Sequence, residues 1–303
     1  MKTSLAFALF CFSASTCLAQ TTHPKTNFDY AQAEGASFGV IMRQVPNTMQ
    51  GDVLVGSAVW IGKSHYFATC NHVVKDVGKA QLLIVIIHND LSTPSNELIA
   101  SGIVSTIDAT VIATDSVADV AILKTDDDPA ERVAMPAITI TGGVQSEMPS
   151  RRVLSHGVEL ESKIPERGEE LLLAGFPNGM KLLITQPGTA DGIAMFGPDR
   201  RAARILLSLK SSHGHSGGPI FNKHGKVVGL SEGALLEPIH NEKHEEVFCE
   251  RNKLDMSNQP LLNPDGTTAK ERFPCLQQNS DVSFAVPAKF ILELAAKYNI
   301  TFD

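Results

Sequence analysis

Residues 214–220 are Gly-His-Ser-Gly-Gly-Pro-Ile, and the interpretation of the whole chain starts from this stretch. Glycine has no Cβ, so the glycines around Ser216 permit a tight backbone that exposes the serine hydroxyl. A serine hydroxyl is a poor nucleophile unless a positioned base takes its proton. This loop is therefore reactive only if the rest of the chain supplies a base and a group that orients it.

Two motifs earlier in the chain supply both groups. Residues 68–74 are Ala-Thr-Cys-Asn-His-Val-Val and contain His72, and residues 118–123 are Ala-Asp-Val-Ala-Ile-Leu and contain Asp119. Alone, each has an ordinary structural explanation, a core histidine in one case and a turn-capping aspartate in the other. Together, in the order His72, Asp119, Ser216, they predict nucleophilic catalysis by a triad.

Most apolar segments are short, rich in Val, Ile and Leu, and separated by turn-forming residues. Such segments predict β-strands of a sandwich or a pair of barrels. They cover residues 37–42, 53–61, 81–87, 110–113, 120–124, 170–174, 181–185, 205–209, 220–221, 227–231 and 282–286. Helical spacing is present only at the end, where Phe290, Ile291, Leu294 and Ala295 fall on one face. We predict an all-β domain of two halves with a boundary near 134–168.

These motifs resemble those of the trypsin-like (chymotrypsin-fold) serine proteases, particularly the bacterial HtrA-type protease domain. The resemblance rests on the Gly56-Ser57 strand, the segment 71–74, the strand after Asp119 and the loop around Ser216. Softer matches lie at residues 175–179 and 283–287, and the similarity covers about residues 36–300.

The resemblance implies two six-stranded antiparallel β-barrels and a C-terminal helix. The barrels are expected at about residues 36–134 and 168–300, with an insertion at 234–280 that has no counterpart in the family. The PDZ domain that many HtrA-type proteins append is not expected in this chain.

The implied activity is that of an exported serine endopeptidase. His72 is expected to act as the base, Asp119 to orient it, and Ser216 to attack the peptide carbonyl. The backbone N–H groups of Gly214 and Ser216 are expected to form the oxyanion hole. His215 departs from the family, because trypsin has aspartate at this position and HtrA-type proteins usually have asparagine.

The resemblance places the substrate-binding residues just before Ser216 and on the strand that pairs with substrate. The candidates are Lys210, His213, Ser231, Glu232 and Gly233. Lys210 or His213 would favour an acidic side chain in the substrate, and a small aliphatic side chain is the other preference left open.

Residues 1–19 have the features of a signal peptide, with Lys2 before a short apolar run and small residues at the cleavage position. The mature domain is then 20–303, exported to the periplasm or secreted. An oxidising compartment permits disulfides. Cys249 and Cys275 flank a polar stretch and are the better pair, and Cys70 is predicted to be a buried free thiol.

The composition and net charge limit the classes of molecule that the protein is expected to bind. The chain has 303 residues, 43% hydrophobic and 19% charged, and a net charge of -7. This excludes a disordered or multi-span membrane protein, and the lack of a basic face argues against nucleic acid. Protein or peptide substrates are expected, without stable membrane insertion and without a cofactor or metal.

Three alternatives remain. The pattern Gly-x-Ser-x-Gly also occurs in serine esterases of the α/β-hydrolase fold, but that fold orders its triad differently and needs alternating helices. A catalytically silent protease-fold binding protein would find support in His215 and the 234–280 insertion. A metal site would use the pair His213 and His215 or the pair His240 and His244.

Overall fold

The computed structural model describes residues 28–42, 53–63, 65–75, 79–86, 102–130, 138–141, 144–147, 154, 156–177, 183–253 and 260–302. The predicted signal peptide at residues 1–19 lies outside these ranges. Within them, no helix combines the length and the apolar character needed to cross a bilayer.

Six antiparallel strands close the first barrel. They are β1 (Ser37–Met42), β2 (Val53–Ile61), β3 (Tyr66–Thr69), β4 (Lys79–Ile86), β5 (Gly102–Asp115) and β6 (Val120–Thr125), in the spatial order β1-β2-β3-β6-β5-β4. The register pairs Trp60 with Phe67, and both are buried with Phe38, whose ring meets that of Phe67 edge to face at 5.1 Å. The mostly-β fold predicted from the short apolar segments is confirmed.

A hairpin of β7 (Ile138–Thr141) and β8 (Val144–Glu147) lies between the two barrels in sequence. The second closed barrel has the spatial order β10-β11-β16-β13-β12-β9. Its strands are β9 (Glu170–Gly175), β10 (Ile184–Met195), β11 (Ala203–Ser208), β12 (Pro219–Asn222), β13 (Val227–Pro238) and β16 (Leu276–Pro287). Leu173, Ile205, Leu207 and Ile220 are buried inside it.

Residues 234–280 are called the arm below, and their described parts, 234–253 and 260–280, continue the β13–β16 ribbon beyond the barrel. β13 and β16 remain paired as far as Pro238 opposite Leu276, and the two-stranded sheet of β14 (Phe248–Asn252) and β15 (Lys270–Pro274) follows. Cys249 and Cys275 form a disulfide with Cα atoms 4.9 Å apart. The bridge therefore closes the base of the β14–β15 hairpin.

In the described part of the chain the helices are short. The α-helices are α1 (Tyr30–Ala36), α2 (Asn71–Val74) and α3 (Lys289–Lys297), and a 3-10 helix spans Arg200–Ala202. Phe290, Ile291, Leu294 and Ala295 of α3 are buried, as their spacing predicts. One face of α3 thereby covers the first barrel beside β5 and β6.

Ser57 of β2 ties the first barrel to the loop around Ser216. Its N–H donates to the carbonyl oxygen of Ser216 at 2.8 Å, and its hydroxyl donates to the carbonyl oxygen of Gly214 at 2.7 Å. The same hydroxyl accepts the N–H of Phe176, which follows β9, at 3.0 Å. These bonds hold residues from both barrels together beside the loop that carries Ser216.

Candidate catalytic site

Asp119 lies on a tight turn between β5 and β6. Asp115 accepts the N–H groups of Val117 and Ala118 at 2.9 and 3.0 Å, which closes the turn, and Asp119 then takes a φ of 58°. A non-glycine residue in this left-handed region is uncommon, and aspartate is among the few that tolerate it. The turn places Asp119 beside residue 71, just after β3, where the Asn71 N–H donates to the Asp119 carbonyl oxygen at 3.2 Å.

His72 and Asp119 make two hydrogen bonds. Nδ1 of His72 lies 2.7 Å from Oδ2 of Asp119, and the His72 backbone N–H donates to Oδ1 at 2.9 Å. The ionised carboxylate can only accept, so Nδ1 carries the proton and Nε2 is free to accept one. The His72 side chain is 46% exposed and that of Asp119 is 11% exposed.

The pKa of His72 is raised from its ordinary value, mainly by the hydrogen bond to Asp119, while burial acts in the opposite direction. The charge of the Asp119 carboxylate raises this pKa further. A base that is stabilised in its protonated form is suited to receive a proton from a neighbouring hydroxyl.

The backbone around Ser216 needs glycine at position 217. Gly217 has a φ of 83°, and a Cβ placed there would stand 2.1 Å from Oγ1 of Thr69 and 2.2 Å from the carbonyl oxygen of Ser57. Gly217 also lies against Cys70, two residues before His72, since the same Cβ would be 3.0 Å from the Cys70 nitrogen. This packing brings the Ser216 loop against the segment that carries His72.

The Ser216 hydroxyl donates to the backbone carbonyl oxygen of Glu232 at 2.9 Å. No hydrogen bond joins Ser216 to His72 among the residues that the structure describes. In this arrangement the Ser216 hydroxyl proton is given to a backbone oxygen and not to the predicted base.

A turn from Ser212 to His215 precedes the serine. The His215 N–H donates to the Ser212 carbonyl oxygen at 3.0 Å, and Gly214 at the third position has a φ of 96°. His213 at the second position does not have a positive φ, so this is a type II turn, which favours glycine at its third position. The turn fixes the direction of the Gly214 N–H, one of the two predicted oxyanion donors.

His215 is a buried, neutral histidine. Its Nδ1 accepts the Ser212 N–H at 3.0 Å and lies 3.1 Å from the Ser212 hydroxyl oxygen, so the ring proton is on Nε2. Nε2 has no hydrogen-bond partner in the described part of the chain. Burial lowers the pKa of His215 to about 4. His215, the residue at which the sequence differs from the proteins it resembles, thus supplies a hydrogen-bond acceptor that stabilises the turn.

The five predicted substrate-binding residues lie in different environments. Lys210 and His213 are exposed, and Gly233 is half-buried. Ser231 is buried, with its hydroxyl 3.0 Å from the Ser211 hydroxyl. The backbone carbonyl oxygen of Glu232 accepts a hydrogen bond from Ser216, and its carboxylate is paired with a buried arginine.

That arginine, Arg204 of β11, was not singled out by the sequence. Its Nε donates to one carboxylate oxygen of Glu232 and its Nη2 to the other at 2.9 Å, while Nη1 donates to the backbone oxygens of Arg201 and Ala203. A buried arginine almost always has an acidic partner. The charge just before the apolar run 205–209 was the available signal, but it did not identify the partner.

Cys70 is free and fully buried, as predicted. Its Sγ donates to the carbonyl oxygen of Ser231 at 3.3 Å, and burial raises the pKa of the thiol well above its ordinary value. The two histidine pairs considered for the alternative metal site differ in exposure, since His213, His240 and His244 are exposed and His215 is buried.

The chain was compared with protein families, solved structures and curated proteins. A family model described as a trypsin-like peptidase domain matches residues 56–230, more than half of the chain. The active-form Rv3671c protease from M. tuberculosis is similar in structure, with a TM-score of 0.53 at 16% sequence identity, over 91% of this chain and 86% of that one. The MamO protease domain from Magnetospirillum magneticum in its apo form has a TM-score of 0.48 at 16% identity, over 87% and 97% respectively. No curated protein matches the chain.

Proposed function

The chain belongs to the trypsin-like peptidase family, and we propose that it is an exported serine endopeptidase that uses Ser216, His72 and Asp119. The observation that carries this proposal is the double hydrogen bond between His72 and Asp119, at 2.7 and 2.9 Å, beside the glycine-rich Ser216 loop. The pair holds the one imidazole tautomer whose Nε2 can act as a general base.

The reaction begins when the Ser216 hydroxyl leaves the Glu232 carbonyl oxygen and turns to His72. Ser216 Oγ attacks the peptide carbonyl as Nε2 of His72 takes its proton, and Asp119 stabilises the resulting imidazolium. The N–H groups of Gly214 and Ser216 hold the oxyanion. Each such donor typically contributes about 3 kcal/mol to transition-state stabilisation. His72 then protonates the leaving amine, and water hydrolyses the acyl-enzyme by the same route.

The substrate is a protein or peptide in this proposal, and Lys210, His213, Ser231, Glu232 and Gly233 surround it. Ser231 is buried, whereas Lys210 and His213 are exposed and would contact a polar side chain of the substrate. No cofactor takes part in the reaction.

We also assign residues 20–303 to one protease domain with barrels at about 36–134 and 168–300 and an insertion at 234–280. Residues 1–19 are its signal peptide. The Cys249–Cys275 disulfide supports export to the periplasm or beyond the cell, because reducing compartments disfavour such bonds.

The test is cleavage of a diverse peptide library by the purified protein and by its Ser216→Ala variant. We expect cleavage by the parent protein and none by the variant, and the cleaved sequences define the pocket preference. Equal cleavage by both proteins would overturn the assignment of Ser216.

A second candidate is a catalytically silent binding protein of the protease fold. The observation behind this candidate is that the Ser216 hydroxyl donates to the Glu232 carbonyl oxygen and not to His72. Labelling by an organophosphonate distinguishes the two candidates. An active enzyme forms a covalent adduct at Ser216, whereas a protein fixed in the silent arrangement does not react.

A further inference from the structure

Cys70 adds a third metal-ligating side chain to the His72–Asp119 pair. One ligand atom each from Cys70, His72 and Asp119 lies within 4.8 Å of the others, and this is the one such group of three among the described residues. The reaction proposed above gives the Cys70 thiol no part. Its sulfur is nonetheless held beside the pair by the hydrogen bond to the Ser231 carbonyl oxygen.

The donor set matches a thiophilic divalent cation. Zinc binds sulfur at about 2.3 Å and nitrogen or oxygen at about 2.0–2.2 Å, so donors in a tetrahedral site stand roughly 3.4–3.6 Å apart. To reach this spacing, Nδ1 of His72 and Oδ2 of Asp119 need to separate by about 0.8 Å from their 2.7 Å, whereas the sulfur, no more than 4.8 Å from the other ligand atoms, needs to approach them by at most about 1.3 Å. A Cys70 thiolate and the Asp119 carboxylate also balance the charge of a divalent ion. Three protein donors leave a fourth position for water.

We propose that Cys70, His72 and Asp119 form an inhibitory binding site for a thiophilic divalent cation such as Zn²⁺ or Cd²⁺. The ion bonds to Sγ of Cys70, to Nδ1 of His72 and to a carboxylate oxygen of Asp119. It replaces the hydrogen bond between His72 and Asp119. The exposed ring of His72 is the approach from solvent, while Cys70 and Asp119 form the buried floor.

The ion stops catalysis by changing the tautomer of His72. Binding releases the thiol proton of Cys70 to solvent, and the ring proton of His72 moves from Nδ1 to Nε2. Nε2 then carries a proton and cannot accept the one on Ser216. The inhibitory consequence rests on the proposed protease function, whereas binding of the ion can be measured without it.

Binding is tested in the full chain carrying Cys11→Ser, Cys17→Ser and Ser216→Ala, so that Cys70 is the only free thiol and no cleavage occurs. Titration with Cd²⁺ should give thiolate-to-cadmium charge-transfer absorbance that saturates at one ion per chain. Adding Cys70→Ser should abolish this absorbance. The control His240→Ala and His244→Ala, which removes two exposed histidines of the arm, should leave it unchanged.

Inhibition is tested on the active chain with a peptide substrate and Zn²⁺, each variant being referred to its own rate without metal. We expect inhibition that a chelator reverses. The inhibition constant for Zn²⁺ should be at least about tenfold higher in Cys70→Ser, because a ligand has been lost. Absence of a Cys70-dependent cadmium signal overturns the site. A cadmium signal without inhibition overturns its inhibitory role. Absence of cleavage in every preparation counts against the protease function and leaves the absorbance result independent.

Discussion

The Ser216 hydroxyl donates to the backbone carbonyl oxygen of Glu232, whose own carboxylate is paired with the buried guanidinium of Arg204. The β13–β16 register shifts between Ser231 and Gly233, so Glu232 is the extra residue of a bulge. The ion pair therefore fixes the irregular part of the strand that touches the serine. A bulge bends its strand locally and so changes the direction of the backbone and side-chain groups beside a reactive residue.

Arg204→Met should destabilise the protein by about 1–3 kcal/mol, because it leaves the half-buried Glu232 carboxylate without its partner. Urea unfolding measures this loss. Lys163→Met, which breaks the exposed Lys163–Glu166 pair, is the control and should have no measurable effect.

The double variant Arg204→Met, Glu232→Gln should recover much of that stability, because no unpaired charge then remains. Additive losses in the double variant would mean that the two side chains act independently.

Asp119→Asn should lower kcat by about 10⁴-fold with little change in KM. The asparagine amide no longer selects the tautomer with the proton on Nδ1. Asparagine also tolerates the φ of 58° at this position, so the fold should be retained. Steady-state kinetics and a thermal melt measure the two effects. A loss smaller than tenfold would exclude Asp119 as the orienting group.

Stability should fall as the pH is lowered from 6.5 towards 4, because His215 is held neutral in the folded protein. Its pKa is lowered from 6.5 to about 4, so the unfolded chain binds more protons across this window. The expected loss in the free energy of unfolding is about 2–3 kcal/mol between about pH 7 and about pH 4.5.

The matched variant for this pH effect is His215→Asn. Its amide can accept the Ser212 N–H but does not titrate. Urea unfolding at both pH values should show a smaller loss for the variant. An identical loss in both proteins would assign the effect to other groups.

Gly217→Ala should be among the most destabilising single substitutions, since the new Cβ would stand 2.1 Å from Oγ1 of Thr69. Gly266 has the same φ of 83° but nothing within 4 Å of a Cβ, so Gly266→Ala isolates the cost of the backbone conformation. That cost is about 1–2 kcal/mol. Thermal unfolding of both variants should show a clearly larger loss for Gly217→Ala, and equal losses would contradict the predicted clash.

The sequence by itself determined the mostly-β fold, the family and the residues around which the site is built. These properties depend on local patterns: short Val- and Ile-rich segments between turns, and glycines on both sides of Ser216. Local patterns survive in a linear sequence because each constrains its own few residues.

The tertiary structure alone decided which groups contact one another across the chain. Ser216 bonds to the Glu232 carbonyl oxygen, and the Glu232 carboxylate pairs with Arg204. His215 accepts the Ser212 N–H. The Cys70 sulfur lies near His72 and Asp119. These contacts cannot be predicted from the spacing of residues in the sequence. They depend on a bulge in β13 and on the closure of each barrel, which together determine which side chains face one another. The physical reason is that barrel closure and strand register are cooperative properties of many residues, whereas a motif is a property of a few.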